Sequence, residues 1–126
     1  MSSGTVEART AAHWWADQLT GPTTTEQVEA FRAALEAAIL AGPVSHWSWR
    51  KAVESGDPHW GAILRVVAAG YDPEPILITA LKAAGIEASD LLEPLPPETI
   101  MWINPGQVRV SSGHSDTVAE LKLIAL

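Results

Sequence analysis

Thr99-Ile100-Met101-Trp102-Ile103-Asn104-Pro105-Gly106-Gln107-Val108-Arg109-Val110 decides the fold class of this 126-residue chain. Two runs rich in β-branched and apolar residues flank Asn104-Pro105-Gly106. Proline presets the first φ of a type II turn and glycine accepts the positive second one, so the stretch predicts a β-hairpin. Pro94, Pro96 and Pro97 upstream break any helix and favour an extended entry. Alternation puts Ile100 and Trp102 on one face and Met101 and Ile103 on the other. Both faces are apolar, which implies burial on both sides or an exposed apolar face. An isolated hairpin is marginal in water, so this one needs helices or further strands to pack on.

Upstream of the prolines the grammar is helical. Ala8, Ala11, Ala12, Trp15 and Leu19 recur at helical spacing until Gly21-Pro22. Thr23 and Glu26 have the spacing of a capping box, and Val28, Phe31, Leu35, Ala38 and Ile39 form the stripe of a second helix that stops at Gly42-Pro43. A short helix is expected over 45–54, where Trp49, Ala52 and Val53 share a face before Gly56. Asp57-Pro58 and Asp72-Pro73 each join a capping acid to proline at the first helical position. The first predicts a helix with Trp60, Ile63, Leu64 and Val67 inward, ending at Gly70. The second predicts one carrying Leu77, Ala80, Leu81 and Ala84, closed by Gly85. After the Ser111-Ser112-Gly113-His114 loop, residues 116–126 read as a final helix capped by Thr117 and Glu120, with a final strand as the alternative. The expectation is a compact, helix-rich α+β single domain spanning 1–126, with about five short helices and a C-terminal β-hairpin packed on them.

Composition narrows the function. Cysteine is absent, which excludes disulfides and thiolate metal sites and fits a reducing, cytoplasmic setting. The N-terminus lacks the basic flank and apolar run of a signal peptide, and no apolar stretch approaches the roughly 20 residues of a membrane helix. A formal net charge of −7 repels a phosphate backbone and points away from direct nucleic-acid binding. The acidic excess concentrates between Asp72 and Glu98, where Lys82 is the one base.

Six tryptophans against one phenylalanine and one tyrosine are the other compositional signal. Adjacent residues on a helix point about 100° apart, so Trp14 and Trp15 cannot both occupy the centre of one apolar face. Tryptophan is enriched at binding hot spots, and the set points to a binding surface rather than a catalytic centre.

Catalytic signatures are sparse. His13 and Asp17 are four apart on the first helix, a spacing that lets a carboxylate orient an imidazole, although such pairs are ordinary on helix surfaces. His13, His46, His59 and His114 are scattered, without the local clusters of a zinc site, so no metal is expected. Three His-Trp pairs, at 13, 46 and 59, fit either a pocket for a planar ligand or core tryptophans with histidines at the wet rim; the second reading is preferred. Ser111, His114 and Asp116 lie together in a polar loop, but a triad is assembled in space and not by sequence proximity. No nucleophile elbow, phosphate-binding loop or dinucleotide fingerprint occurs, and no cofactor is expected.

Two stretches resemble a family of small proteins from bacteria and their phages and prophages. One is Ala11-Ala12-His13-Trp14-Trp15-Ala16-Asp17-Gln18-Leu19, with its Trp-Trp-Ala-Asp-Gln-Leu core. The other runs from Tyr71-Asp72-Pro73 through Leu81-Lys82-Ala83-Ala84-Gly85-Ile86 to the hairpin. Together they cover less than half of the chain, and the region with Trp47, Trp49 and Trp60 departs from the family. The resemblance implies a fold and a mobile-element setting, not catalytic residues.

In that setting, small acidic proteins resemble anti-defence inhibitors, anti-CRISPR proteins among them. The leading expectation is therefore a non-enzymatic inhibitor or adaptor that occupies the surface of a host protein, such as a nucleic-acid-binding defence complex. Trp14, Trp47 and Trp49 would be its anchors and Asp72, Glu74, Glu87, Asp90 and Glu93 its acidic steering set. The main rival is a small enzyme or ligand binder whose pocket gathers His13, Asp17, Trp15, His59 and Trp60. A third reading is a structural module whose tryptophans meet in a homodimer.

Overall fold

The computed structural model describes residues 4–19, 23–42, 54, 75–86, 99–111 and 118–124, together with the backbone of 64–68. Among these, three helices and a four-stranded sheet form an α+β arrangement: α1 (Thr5–Asp17), α2 (Thr25–Ala41), β1 (Leu64–Ala68), α3 (Pro75–Ala83), β2 (Thr99–Asn104), β3 (Gln107–Ser111) and β4 (Ala119–Glu120). The sheet order is β1-β2-β3-β4 and every pairing is antiparallel.

The hairpin forms as its turn chemistry predicts. Asn104 pairs with Gln107, leaving Pro105-Gly106 as a two-residue loop with Gly106 at φ 78. Burial alternates along both strands: Met101, Ile103, Val108 and Val110 enter the core while Trp102 and Arg109 turn the other way.

The helices supply the rest of that core. Alanines at 8, 11, 12 and 16 let α1 approach its neighbours closely, with Trp15 fully buried among them. Phe31, Leu35 and Ile39 face inward from α2, and Leu77, Ala80 and Leu81 from α3. Each large side chain of this kind contributes roughly 1.5–3 kcal/mol through burial. Beyond α3, the amides of Gly85 and Ile86 donate to the carbonyls of Lys82 and Leu81 at 3.0 Å each, and Gly85 takes φ 69. This is a Schellman stop, which places Ile86 back in the core beside Leu81.

Three expectations are corrected. Residues 64–68, read as part of a helix after Asp57-Pro58, are strand β1, with Leu64 opposite Ile103 and Ala68 opposite Thr99. An apolar run containing Val66 and Val67 is compatible with either element, and pairing with the free edge of β2 settles the choice. The C-terminal stretch expected as a helix instead carries β4, and Leu121 N donates to Val108 O at 2.8 Å. The capping box of α2 sits one residue further on than expected: Thr24 Oγ1 accepts from Gln27 N at 3.1 Å and Gln27 Oε1 accepts from Thr24 N at 3.0 Å. Gln27 Nε2 also donates to Gly85 O at 3.2 Å, tying the start of α2 to the end of α3, a contact that Glu26 has no N–H to make. Of the helix expected over 45–54, Glu54 alone is described, and it is helical.

Candidate functional site

Helix α1 organises the molecule around two buried polar side chains. Glu7, only 2% exposed, accepts a hydrogen bond through Oε2 from Gly106 N in the hairpin turn at 2.8 Å. One turn later Thr10 Oγ1 donates to Val6 O at 2.8 Å and accepts from Ile124 N at 2.9 Å. A single helix face thus clamps both the tip of β2–β3 and the segment after β4.

Further along α1 lie the residues singled out from the sequence. Trp15 is a core residue whose Nε1 has no hydrogen-bond partner. Trp14 is half-buried at the edge of the core and meets Trp15 edge to face, with centroids 5.0 Å apart at 90°, so the adjacent indoles divide between centre and rim. His13 is half-buried and Asp17 exposed, and neither a hydrogen bond nor an ion pair joins them. Trp47, Trp49, His59, Trp60, Asp72, Glu74, Glu87, Asp90 and Glu93 lie outside the described residues. The pocket proposed around His13 and Asp17 therefore has Trp15 as its one other described member, and that indole belongs to the core.

On α2, Arg32 pairs with Glu29 and, at 2.9 Å, with Glu36, while Arg9 of α1 reaches Glu36 at 3.8 Å. The hydrogen bond from Arg32 holds the Glu29 carboxyl below its usual value, with a smaller attraction from His13, and the same Arg32–Glu29 bond raises the arginine further. These charges are a solvated bracket between α1 and α2.

The sheet face turned away from the core has a different chemistry. Register places Arg65, Trp102, Arg109 and Glu120 in one row across all four strands. Trp102 is half-buried, and the Arg109 guanidinium lies 5.7 Å from its ring centroid, within cation–π range. Ile100 extends the apolar surface, and Gln107 Nε2 donates to Glu120 Oε1 at 2.8 Å. Trp102 was not among the site residues singled out from the sequence. The available signal was the alternation that sets it opposite Met101 and Ile103.

Among the described residues no group of three or more His, Cys, Asp or Glu side chains is arranged to hold a metal, and no helix is long and apolar enough to cross a membrane. Among the described residues, helices lie on one side of an antiparallel sheet, and Trp102 and Arg109 stand on the other. The chain belongs to the BTG family, whose sequence profile matches residues 5–122.

Protein BTG1 of Homo sapiens and that of Bos taurus are each 23% identical to it over 101 residues, covering 80% of this chain and 56% of the relative. The chain thus spans about half the length of the curated relatives it matches. Among solved structures, the BTG/Tob domain of C. elegans FOG-3 superposes with a TM-score of 0.71 at 24% identity, covering 92% of this chain and 87% of that one. That likeness is one of fold.

These matches overturn the resemblance to bacterial, phage and prophage proteins, and with it the anti-CRISPR-like inhibitor of a host defence complex. The Trp-Trp-Ala-Asp-Gln-Leu motif is a short helical segment whose second indole fills a core, a demand many helices share, whereas the family match runs through nearly the whole chain. The broader expectation of protein–protein interaction is consistent with the family, since BTG proteins bind protein partners.

Proposed function

We propose that this chain is a protein-binding adaptor domain of the BTG type, serving mRNA deadenylation, and that it docks its partner on the outer face of the sheet. The family supplies the setting, since BTG/Tob proteins are deadenylation adaptors and regulators of cell proliferation. The observation that carries the location is Trp102, a half-buried indole that lies outside the core cluster formed by the described residues. Aromatic anchors of this kind, partly desolvated before binding, are where association energy concentrates. Helix α1 supports the face from behind, because Glu7 fixes the turn that follows Trp102 and Asn104. Trp14, half-buried on α1, is a second candidate anchor.

The test is calorimetric titration of the full chain, wild type and Trp102→Ala, against a purified deadenylase, with circular dichroism to establish that the variant is folded. The expected loss is about thirtyfold in affinity, which corresponds to about 2 kcal/mol for a hot-spot tryptophan. A wild-type chain that fails to bind any deadenylase subunit removes the adaptor reading, and a folded Trp102→Ala variant of unchanged affinity removes this face.

A further inference from the structure

Arg109 and Glu120 face each other across β3 and β4 and do not pair. Register sets them directly opposite, where Cβ atoms lie about 4.5–5.5 Å apart and an ion pair is within easy reach. Arg9 and Arg32 each reach a carboxylate, yet among the described residues no ion pair joins Arg109 to Glu120. The arginine turns instead to its neighbour on β2: the guanidinium lies 5.7 Å from the ring centroid of Trp102. Its Nε is buried without an acceptor, and an aromatic face excludes water while offering π-electron density in place of a lone pair. Gln107 accounts for the carboxylate. It stands two residues from Arg109 on the same face of β3 and donates through Nε2 to Glu120 Oε1 at 2.8 Å. A carboxylate held on that diagonal is kept off the residue directly opposite.

Resting on the adaptor reading above, we propose that Arg109 is a positioning residue for docking at Trp102: it holds the indole in the orientation that meets the partner, and Gln107 keeps Glu120 from drawing it away. Arg109 acts through the ring, because its buried Nε is closed to a partner. An indole fixed before association carries no ordering cost into binding. The competing arrangement pairs Arg109 with Glu120. Exposed ion pairs and exposed cation–π contacts are of comparable, small strength, and Glu120 is exposed, so the two arrangements are close in free energy and the Gln107 bond decides between them.

The test titrates purified deadenylase into the full chain as wild type, Arg109→Ala, Arg109→Lys, Gln107→Ala and the double variant Gln107→Ala/Glu120→Gln, each checked for folding by circular dichroism. Ring orientation is read separately, without partner, from the Trp102 indole N–H resonance, assigned with Trp102→Phe, and from its nuclear Overhauser contacts to side chain 109. Arg109→Ala is expected to weaken binding about three- to fivefold and to move the indole resonance. Arg109→Lys, which keeps the charge without the planar fork, falls between. Gln107→Ala loses the Overhauser contacts and weakens binding by a similar factor, less so in high salt, where the released Arg109–Glu120 pair is screened. Adding Glu120→Gln restores both, a rescue that a merely structural role for Gln107 does not give. Where Arg109→Ala does not fold, Arg109→Lys and the Gln107→Ala pair decide. An unmoved indole resonance in Arg109→Ala, or a Gln107→Ala loss that persists with Glu120→Gln, overturns the proposal. Binding lost in Trp102→Ala but unchanged in every Arg109 and Gln107 variant removes the positioning role and leaves the docking face standing. A wild-type chain that binds no deadenylase removes the adaptor reading, and the docking role of Arg109 falls with it.

Discussion

Glu7 shows how much one side chain can hold in place. Its carboxylate is buried, and its Oε2 receives the amide of Gly106 from a turn 99 residues away. Hydrogen bonds to charged groups contribute about 1.5–3 kcal/mol, and a buried group left without its partner adds a desolvation penalty. Glu7→Ala is therefore expected to lower the unfolding free energy by about 2–3 kcal/mol, whereas Glu7→Gln, which retains an acceptor oxygen, loses less; urea denaturation of the two variants checks the order. Nothing around position 7 announces this role. The inward positions Phe31, Leu35, Ile39, Leu77 and Leu81 were legible because apolar periodicity is a local signal. A buried glutamate on the first turn of a helix looks like ordinary dipole complementation until its distant partner is known.

At the scale of elements, starts and stops carry most of the specificity. Thr23 and Thr24 both head an S/T-x-x-E/Q pattern, and the structure uses the second. Thr24→Ala is expected to cost about 1 kcal/mol and Thr23→Ala less than about 0.5 kcal/mol, a contrast that thermal melts of the pair resolve. Helix α2 also carries the ion cluster at Arg32. Glu29 has a carboxyl held below its ordinary value of 4.5 by its bond to Arg32, so the pair stabilises the folded chain above that pH and the contribution fades as acid protonates the carboxylate. Glu29→Gln should accordingly melt below wild type at neutral pH, converge with it in acid and lose the difference in high salt; melting curves across pH and ionic strength check this. The helices and the hairpin were readable because their decisive residues are adjacent in sequence. Strands β1 and β4 were not: Leu64–Ala68 and Ala119–Glu120 take their conformation from partners on β2 and β3, and local propensity is silent about partners. The same blindness hid the outer face, since Trp102 and Arg109 meet only once the register is fixed.

For the molecule as a whole, the hairpin divides between core and outer face. The inward residues Met101, Ile103, Val108 and Val110 are buried in the core, and Trp102 and Arg109 stand on the other side, on the face proposed for docking. The first helix has a further consequence for how the chain is made. Its two polar side chains wait for groups that are synthesised much later, Glu7 for the amide of residue 106 and Thr10 for that of residue 124. At about 5–20 residues per second of translation, α1 stays without its sheet for several seconds after leaving the ribosome, with the face that will surround Trp15 unburied. Native structure is therefore completed late, as a largely post-translational closure of contacts with high sequence separation, and through that interval the nascent domain depends on its surroundings to shield an apolar helix.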